Sequence, residues 1–421
     1  MPSKDPKSLN FPLTAGDLNI YHARSIADQQ ITYVLEFSGT LEAERLNVAA
    51  AALLQAFPML ATVVQGDGTH LRRKLMLDTR PTVSIAPDGE PPSQAIEHFV
   101  GTPCEPDREP PLKLHLVRGA GQDTLCLKAD HVLTDAAGLK VVLYALAEAY
   151  ATGGLRPSAN LDRGLGQVYR RFSLLSILKA ATRSNLPRPG PTLIAGPFAP
   201  QPTFVEHVCL EPGDFERTRA AAKHRGATLN DMLLAAVFRA IWQRQAQSPA
   251  GAYPVMVPVD MRRYLPETRQ AIVGNLSSAV FPALAALPAE PFPETLARVT
   301  AGMEAFKRDS PGLANLVLMS AGAMQGGRMM RDRYRLAASR GSRFVNLTNF
   351  GVIEAAHCDF GVPLAGAYGI GPVQYAPGIL IAISTCSQKL HLVVQGNDTR
   401  RFQPFIHAFL ESLLVELRQV D

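Results

Sequence analysis

His131 and Asp135 lie four residues apart in the segment Lys128-Ala-Asp-His131-Val-Leu-Thr-Asp135-Ala-Ala-Gly138. An imidazole has the ordinary side-chain pKa nearest neutrality, so it suits taking up a proton and giving it back. The nearby carboxylate offers either a partner for that ring or a fixed charge that shapes the loop. The residues before them, 123–129, alternate as a strand, and those after, 139–150, have helical spacing. A histidine at a strand end, followed by a helix start, is held in an open position between two rigid elements. The plainer alternative is a hydrogen-bonded histidine with no chemical role.

Other elements must position this segment. Residues 31–37 alternate as a strand, and Thr40 reads as the cap of a helix over 41–57 that Pro58 stops. Residues 112–117 read as a second strand, and 119–123 as a hairpin turn into the strand that delivers His131. The helix after Gly138 ends near Gly153, and 165–184 is mostly helical. A Pro/Gly-rich run from Asn185 to Pro202 reads as a linker. Beyond it the pattern predicts strands at 204–210, 253–259, 275–281, 344–348, 378–385 and 390–395. Helices are predicted over 214–224, 229–244, 293–307, 313–334 and 404–417.

The chain has 421 residues, 47% of them hydrophobic and 19% charged, which is a packed composition with room for two domains. A net charge of +5 and a pI of about 9.0 favour an anionic partner without indicating nucleic acid. Five cysteines, odd in number and without a Cys-x-x-Cys pair, suit a reduced, cytoplasmic protein. No metal-ligand spacing occurs among the ten histidines, so no metal is expected. The N-terminus carries no apolar secretion signal, and no segment has the uninterrupted apolar length of a membrane span. A Gly-x-Ser-x-Gly elbow is missing, which ranks a hydrolase low.

The spacing His-x-x-x-Asp-x-x-Gly resembles the active-site motif of the CoA-dependent acyltransferase superfamily. That group includes chloramphenicol acetyltransferase, the condensation domains of nonribosomal peptide synthetases, wax ester synthases and alcohol acetyltransferases. The usual form is His-His-x-x-x-Asp-Gly. Asp130 stands here in place of the first histidine, and Ala136 replaces the glycine after the aspartate, which alters the turn. Further segments resemble the same superfamily in the expected order. They are Phe11 to Tyr21, the Thr-x-Asn-Asp segment at Thr228, Asn230 and Asp231, Pro258-Val-Asp-Met-Arg262 with Gly274-Asn275, and Val345 to Gly351. Thr228 or Asn230 is also a plain helix cap before an apolar run. Asp359-Phe-Gly361 matches part of a plant acyltransferase motif by chance.

The resemblance implies an α/β (α+β) architecture of two chloramphenicol-acetyltransferase-like subdomains. They would form a V-shaped pseudodimer with the active site at their interface. Residues 1–190 would be the N-terminal subdomain carrying the motif, and 191–421 the C-terminal one. It also implies an acyltransferase with His131 as general base, and Asp135, Gly138 and Arg262 in structural roles. Arg262, rather than Arg263, would pair with Asp135. Asn230, Asn275, Ser277 and Asn349 are tunnel or oxyanion candidates, with Ser278 and the amides near Gly138 as further donors. No cofactor is tightly bound in this reading. Acyl-CoA or a carrier-protein phosphopantetheine thioester is the co-substrate, the acceptor is an alcohol or amine, and a monomer suffices. Arg328, Arg331, Arg333 and Arg335 could grip CoA phosphates or an acidic carrier, or form a solvated helix face. The competing expectation is a noncatalytic condensation-like protein that binds an acyl carrier or recruits an enzyme.

Overall fold

A computed structural model describes residues 10–66, 70–76, 79, 82–156, 162–183, 187–245, 251–340 and 344–419. One sheet has five strands in the spatial order Leu364–Ile370, Gln30–Phe37, Asp123–Asp130, Leu112–Arg118 and Val83–Ile85. The expected hairpin is present, with Arg118 opposite Asp123 and Leu112 opposite Ala129. Every residue of Asp123–Asp130 is buried, because helices cover this central strand. Helices Ala43–Ala56 and Ala136–Thr152 pack Leu46, Leu53, Leu139, Val142 and Leu146 into one core with Val34, Leu125 and Leu127.

A second sheet has nine strands. Its main path runs Ser277–Val280, Tyr253–Asp260, Val345–Val352, Ile379–Cys386, Lys389–Asn397, Val373–Gln374 and Ala27–Asp28. Ala283–Leu284 joins Tyr253–Asp260, and Thr203–Leu210 joins Lys389–Asn397. Helices Leu229–Trp242 and Phe402–Arg418 close its core, with Phe238, Ile241, Phe409 and Leu413 against Ile381, Leu392 and Val394.

The two halves exchange strands across the linker. Leu364–Ile370 pairs with Gln30–Phe37, and Ala27–Asp28 pairs with Val373–Gln374. The division expected near residue 190 does not separate these two sheets, since both take strands from both sides of that point.

Several boundaries differ from the sequence pattern for local reasons. Thr40 caps nothing: the helix starts at Ala43, because the Leu41 amide donates to Asp123 Oδ2 at 2.7 Å. The helical stretch after 165 is two short helices, Gly166–Tyr169 and Leu174–Thr182, and Ser184 lies outside the described residues. Of the linker, Asn185 and Leu186 also lie outside them. The helix expected over 313–334 is two, Leu313–Met324 and Arg328–Arg340, broken where Gly326 and Gly327 take positive φ. Helix Ala15–Ala23, the strand Leu364–Ile370 and helix Pro92–Gly101 were not legible in the pattern.

Candidate active site

The strand Asp123–Asp130 ends at His131, whose amide donates to the Gln29 carbonyl at 3.0 Å. Four residues later Asp135 caps helix Ala136–Thr152, its Oδ1 accepting from the Gly138 amide at 2.9 Å. Ala136 is the first residue of that helix, so an alanine fits there and the turn needs no glycine. Gly138 is required by packing instead. A Cβ there would lie 2.0 Å from Thr134 Oγ1 and 2.9 Å from the Ile272 carbonyl oxygen of the second half.

His131 Nδ1 lies 2.9 Å from the Thr134 carbonyl oxygen. A carbonyl only accepts, so Nδ1 carries the hydrogen and a neutral ring leaves Nε2 as a proton acceptor. Burial pushes the imidazole below its ordinary value. The Asp135 charge and hydrogen bonds to Thr134 and Asn275 oppose this without overcoming it. The ring is therefore neutral, in its basic form, at neutral pH.

Asp135 faces the second half of the chain. Its Oδ2 accepts from Arg262 Nη1 at 2.9 Å, the Leu276 amide at 2.8 Å and Ser277 Oγ at 3.2 Å. Burial alone would raise this carboxyl. The Arg262 charge and the hydrogen bonds from Arg262, Gly138 and Leu276 outweigh it and hold the group below the usual carboxylate range. Arg262 also donates through Nη2 to the carbonyls of Ile272 and Gly274, each at 2.9 Å, and through Nη1 to Asp260 Oδ1 at 3.0 Å. Arg263 is exposed, and its guanidinium lies over the Tyr264 ring.

A second buried network holds the loop by its carbonyls. Asn275 Nδ2 is 2.9 Å from the carbonyl oxygens of His131 and Val132 and from Asp17 Oδ1. Arg163 donates to Asp17 Oδ1 at 3.0 Å, to the Val273 carbonyl at 2.9 Å and to the Leu133 carbonyl. Arg73 donates to the Val132 carbonyl. Burial and the like charge of Arg163 bring Arg73 down to about 10, so it stays charged at neutral pH. With Nδ1 on Thr134, each carbonyl oxygen from His131 to Thr134 has a donor. Helix Ala15–Ala23 comes close enough to supply Asp17 because Gly16 lacks a Cβ, which would lie 2.5 Å from the Asn275 carbonyl oxygen.

Asp17, Arg73 and Arg163 were not found by sequence reasoning. Thr14 and Asp17 form a reciprocal cap of helix Ala15–Ala23, which is all their spacing announces. The partners of Arg73 and Arg163 are distant in sequence, so no local signal marks them.

The remaining expected residues divide. The donor groups of Asn275 and Ser277 are engaged with the loop and with Asp135, Ser278 Oγ donates to the Gly312 carbonyl at 2.6 Å, and the Gly138 amide is held by Asp135. These groups support the loop rather than present a spare oxyanion donor. Asn349 Nδ2 donates to Asn230 Oδ1 at 2.8 Å, and both side chains are exposed. Asp231 makes a capping box with Thr228, the plain reading of that segment. Arg328, Arg331, Arg333 and Arg335 share helix Arg328–Arg340. Gly361 bonds back to Asp359 Oδ1 in a local turn.

No protein-family model matches the chain. An uncharacterized protein of Mycobacterium tuberculosis is 28% identical over 240 residues, 53% of this chain and 56% of that protein. The match thus spans about half the length of the curated relatives. Three solved structures share the fold over nearly the whole chain. The first condensation domain of the calcium-dependent antibiotic synthetase is 18% identical, with a TM-score of 0.72 and coverage of 98% of this chain and 97% of that one. The condensation domain of the Monacolin K polyketide synthase MokA is 14% identical, with a TM-score of 0.71 and coverage of 97% and 96%. Polyketide synthase associated protein 5 from Mycobacterium tuberculosis is 18% identical, with a TM-score of 0.66 and coverage of 97% and 98%. The chain has the condensation-domain fold, a V-shaped pair of chloramphenicol-acetyltransferase-like subdomains.

Proposed function

We propose that the protein is an acyltransferase. It would move an acyl group from a CoA or carrier-protein phosphopantetheine thioester to a hydroxyl or amine acceptor, in secondary metabolism or lipid modification. The observation that carries this reading is the tether of His131, whose Nδ1 sits 2.9 Å from the Thr134 carbonyl oxygen and so leaves Nε2 as the proton acceptor. Nε2 takes the proton of the acceptor as that atom attacks the thioester carbonyl. The tetrahedral adduct then collapses, the carbon–sulfur bond breaks, and the imidazolium returns the proton to the leaving thiolate. Atoms and charge balance without any further reactant. Holding both substrates at one nitrogen supplies much of the rate, because a bimolecular encounter becomes a local one. Asp135 shapes the loop and leaves proton transfer to His131, since both its oxygens face Gly138 and the second half.

The test offers purified protein a panel of acyl-CoA and acyl-carrier thioesters with pooled alcohols and amines, and follows thiol release and product mass. Turnover that vanishes in His131→Ala supports the reading and names the donor class. Thioester binding without turnover, unchanged in His131→Ala, would favour a noncatalytic protein that holds an acyl carrier or recruits another enzyme.

A further inference from the structure

Helix Leu174–Thr182 carries an apolar face that the fold leaves uncovered. Leu174, Leu175 and Leu178 are 71%, 76% and 56% exposed, and their spacing places them on one side of the helix. The other side is committed. Ala180 is buried, while Lys179 and Arg183 both reach Asp309 just before helix Leu313–Met324. Immediately upstream, Arg170 and Arg171 line a surface cavity of about 240 Å³ with Gln167, Leu265 and Arg269. All three arginines are exposed; Arg170 also lies 4.0 Å from Asp162, a solvated pair that holds its guanidinium weakly.

We infer that this surface docks on an anionic lipid bilayer, with the three leucines entering the interface and the arginines meeting lipid phosphates. A short helix with leucines on one face and basic residues beside it has the composition of an interfacial element. The arginines supply the charge complementarity, and guanidinium groups suit phosphate oxygens. Leucine is under-represented among the residues that dominate protein–protein binding, which disfavours a protein partner for this face. Association is with the surface only, since no helix among the described residues is long and apolar enough to cross a membrane. The inference stands apart from the acyl-transfer reading.

The experiment sediments the full chain with vesicles of phosphatidylcholine alone and of phosphatidylcholine and phosphatidylglycerol in equal parts. Binding is expected to the anionic vesicles and to weaken with salt. L174S/L175S/L178S should lower it by roughly tenfold or more, and R170Q/R171Q/R269Q should remove the preference for anionic lipid. Because all six side chains are exposed, these variants should keep the native circular dichroism. A Leu175→Trp variant should show a blue-shifted emission with anionic vesicles. Three outcomes overturn the inference. One is a wild-type protein that leaves both vesicle types in the supernatant. Another is binding that the leucine variant does not change. The last is loss, in that variant, of self-association or of turnover with a carrier-bound donor, with no vesicle binding by the wild type.

Discussion

Asn275 holds His131 by its backbone: one side-chain amide group from the second half lies 2.9 Å from the carbonyl oxygen of the histidine. The same group meets Val132 O and Asp17 Oδ1 at the same distance. The ring is thus placed both by its Nδ1 bond to Thr134 and by what grips its peptide.

Asn275→Ala should therefore loosen the histidine. The His131 carbonyl loses its donor, at a cost of about 1–3 kcal/mol, while Val132 O keeps Arg73 and Asp17 keeps Arg163. We expect a lower denaturation midpoint and a larger drop in kcat than in KM. Asn275→Asp should be worse, because it sets a second carboxylate beside Asp17. Urea unfolding with steady-state kinetics checks both variants; an Asn275→Ala enzyme with wild-type kcat would remove the asparagine from any positioning role.

The Asp135–Arg262 pair lends itself to a double-mutant cycle. Both groups are buried, so removing Arg262 leaves Asp135 charged and without its cation, at a cost of about 3–5 kcal/mol, whereas removing Asp135 leaves Arg262 with Asp260. Arg262→Met should destabilise by that order, and Asp135→Ala by less, because Asp260 still pairs with Arg262. The double variant should lose much less than their sum, because no uncompensated charge remains. Additive losses in chemical denaturation would mean that the pair is not coupled.

The pH dependence follows from the directions of the shifts. His131 is held below its ordinary 6.5, so its basic form persists somewhat below that pH and activity falls only as the ring protonates. The neighbouring Asp130 is pushed up to about 7 by burial. Asp130→Asn keeps the acceptor that Val132 uses and should leave the acid limb in place. Stability has a separate window. His391, buried between strands and paired with His207 at 3.0 Å, is lowered to about 4. The unfolded chain takes up that proton from about 6.5 downward while the folded one resists. Stability is therefore lost as pH falls from 6.5 to about 4, with no further loss from this group below that. His391→Gln should flatten that part of the curve, measured by thermal unfolding across the range.

How much of this was legible depends on the reach of each contact. The strand–His131–helix unit showed in the sequence because its periodicities switch within one short segment. For Asp135 the resemblance implies only a structural role, and its cap on the following helix comes from the structure. Arg262 emerged only through resemblance, since 127 residues separate it from Asp135. Asp17 and Arg163 are 146 residues apart, and nothing near either announces the other. The strand Leu364–Ile370 holds two alanines, Ala365 and Ala367, and two glycines, Gly366 and Gly369, which dilute the alternation that marks a strand. Its identity comes from a sheet on the far side of the linker.

Gly138 gives the sharpest steric test. Its amide bonds to Asp135, and its missing Cβ leaves room for Thr134 Oγ1 and the Ile272 carbonyl. Alanine ordinarily favours a helix over glycine by about 1 kcal/mol, so a helix-propensity argument expects Gly138→Ala to stabilise. The contact geometry argues the reverse. One close atom is backbone of the second half, which cannot swing aside as a side-chain tip would. Overpacking of this kind costs about 1–3 kcal/mol, enough to cancel the propensity gain. We expect Gly138→Ala to lower the melting temperature and to cut turnover, because relief of the clash displaces either Thr134, which holds His131, or the segment that carries Asn275. A variant as stable and active as the wild type would show that the two halves can part at this point without disturbing the histidine.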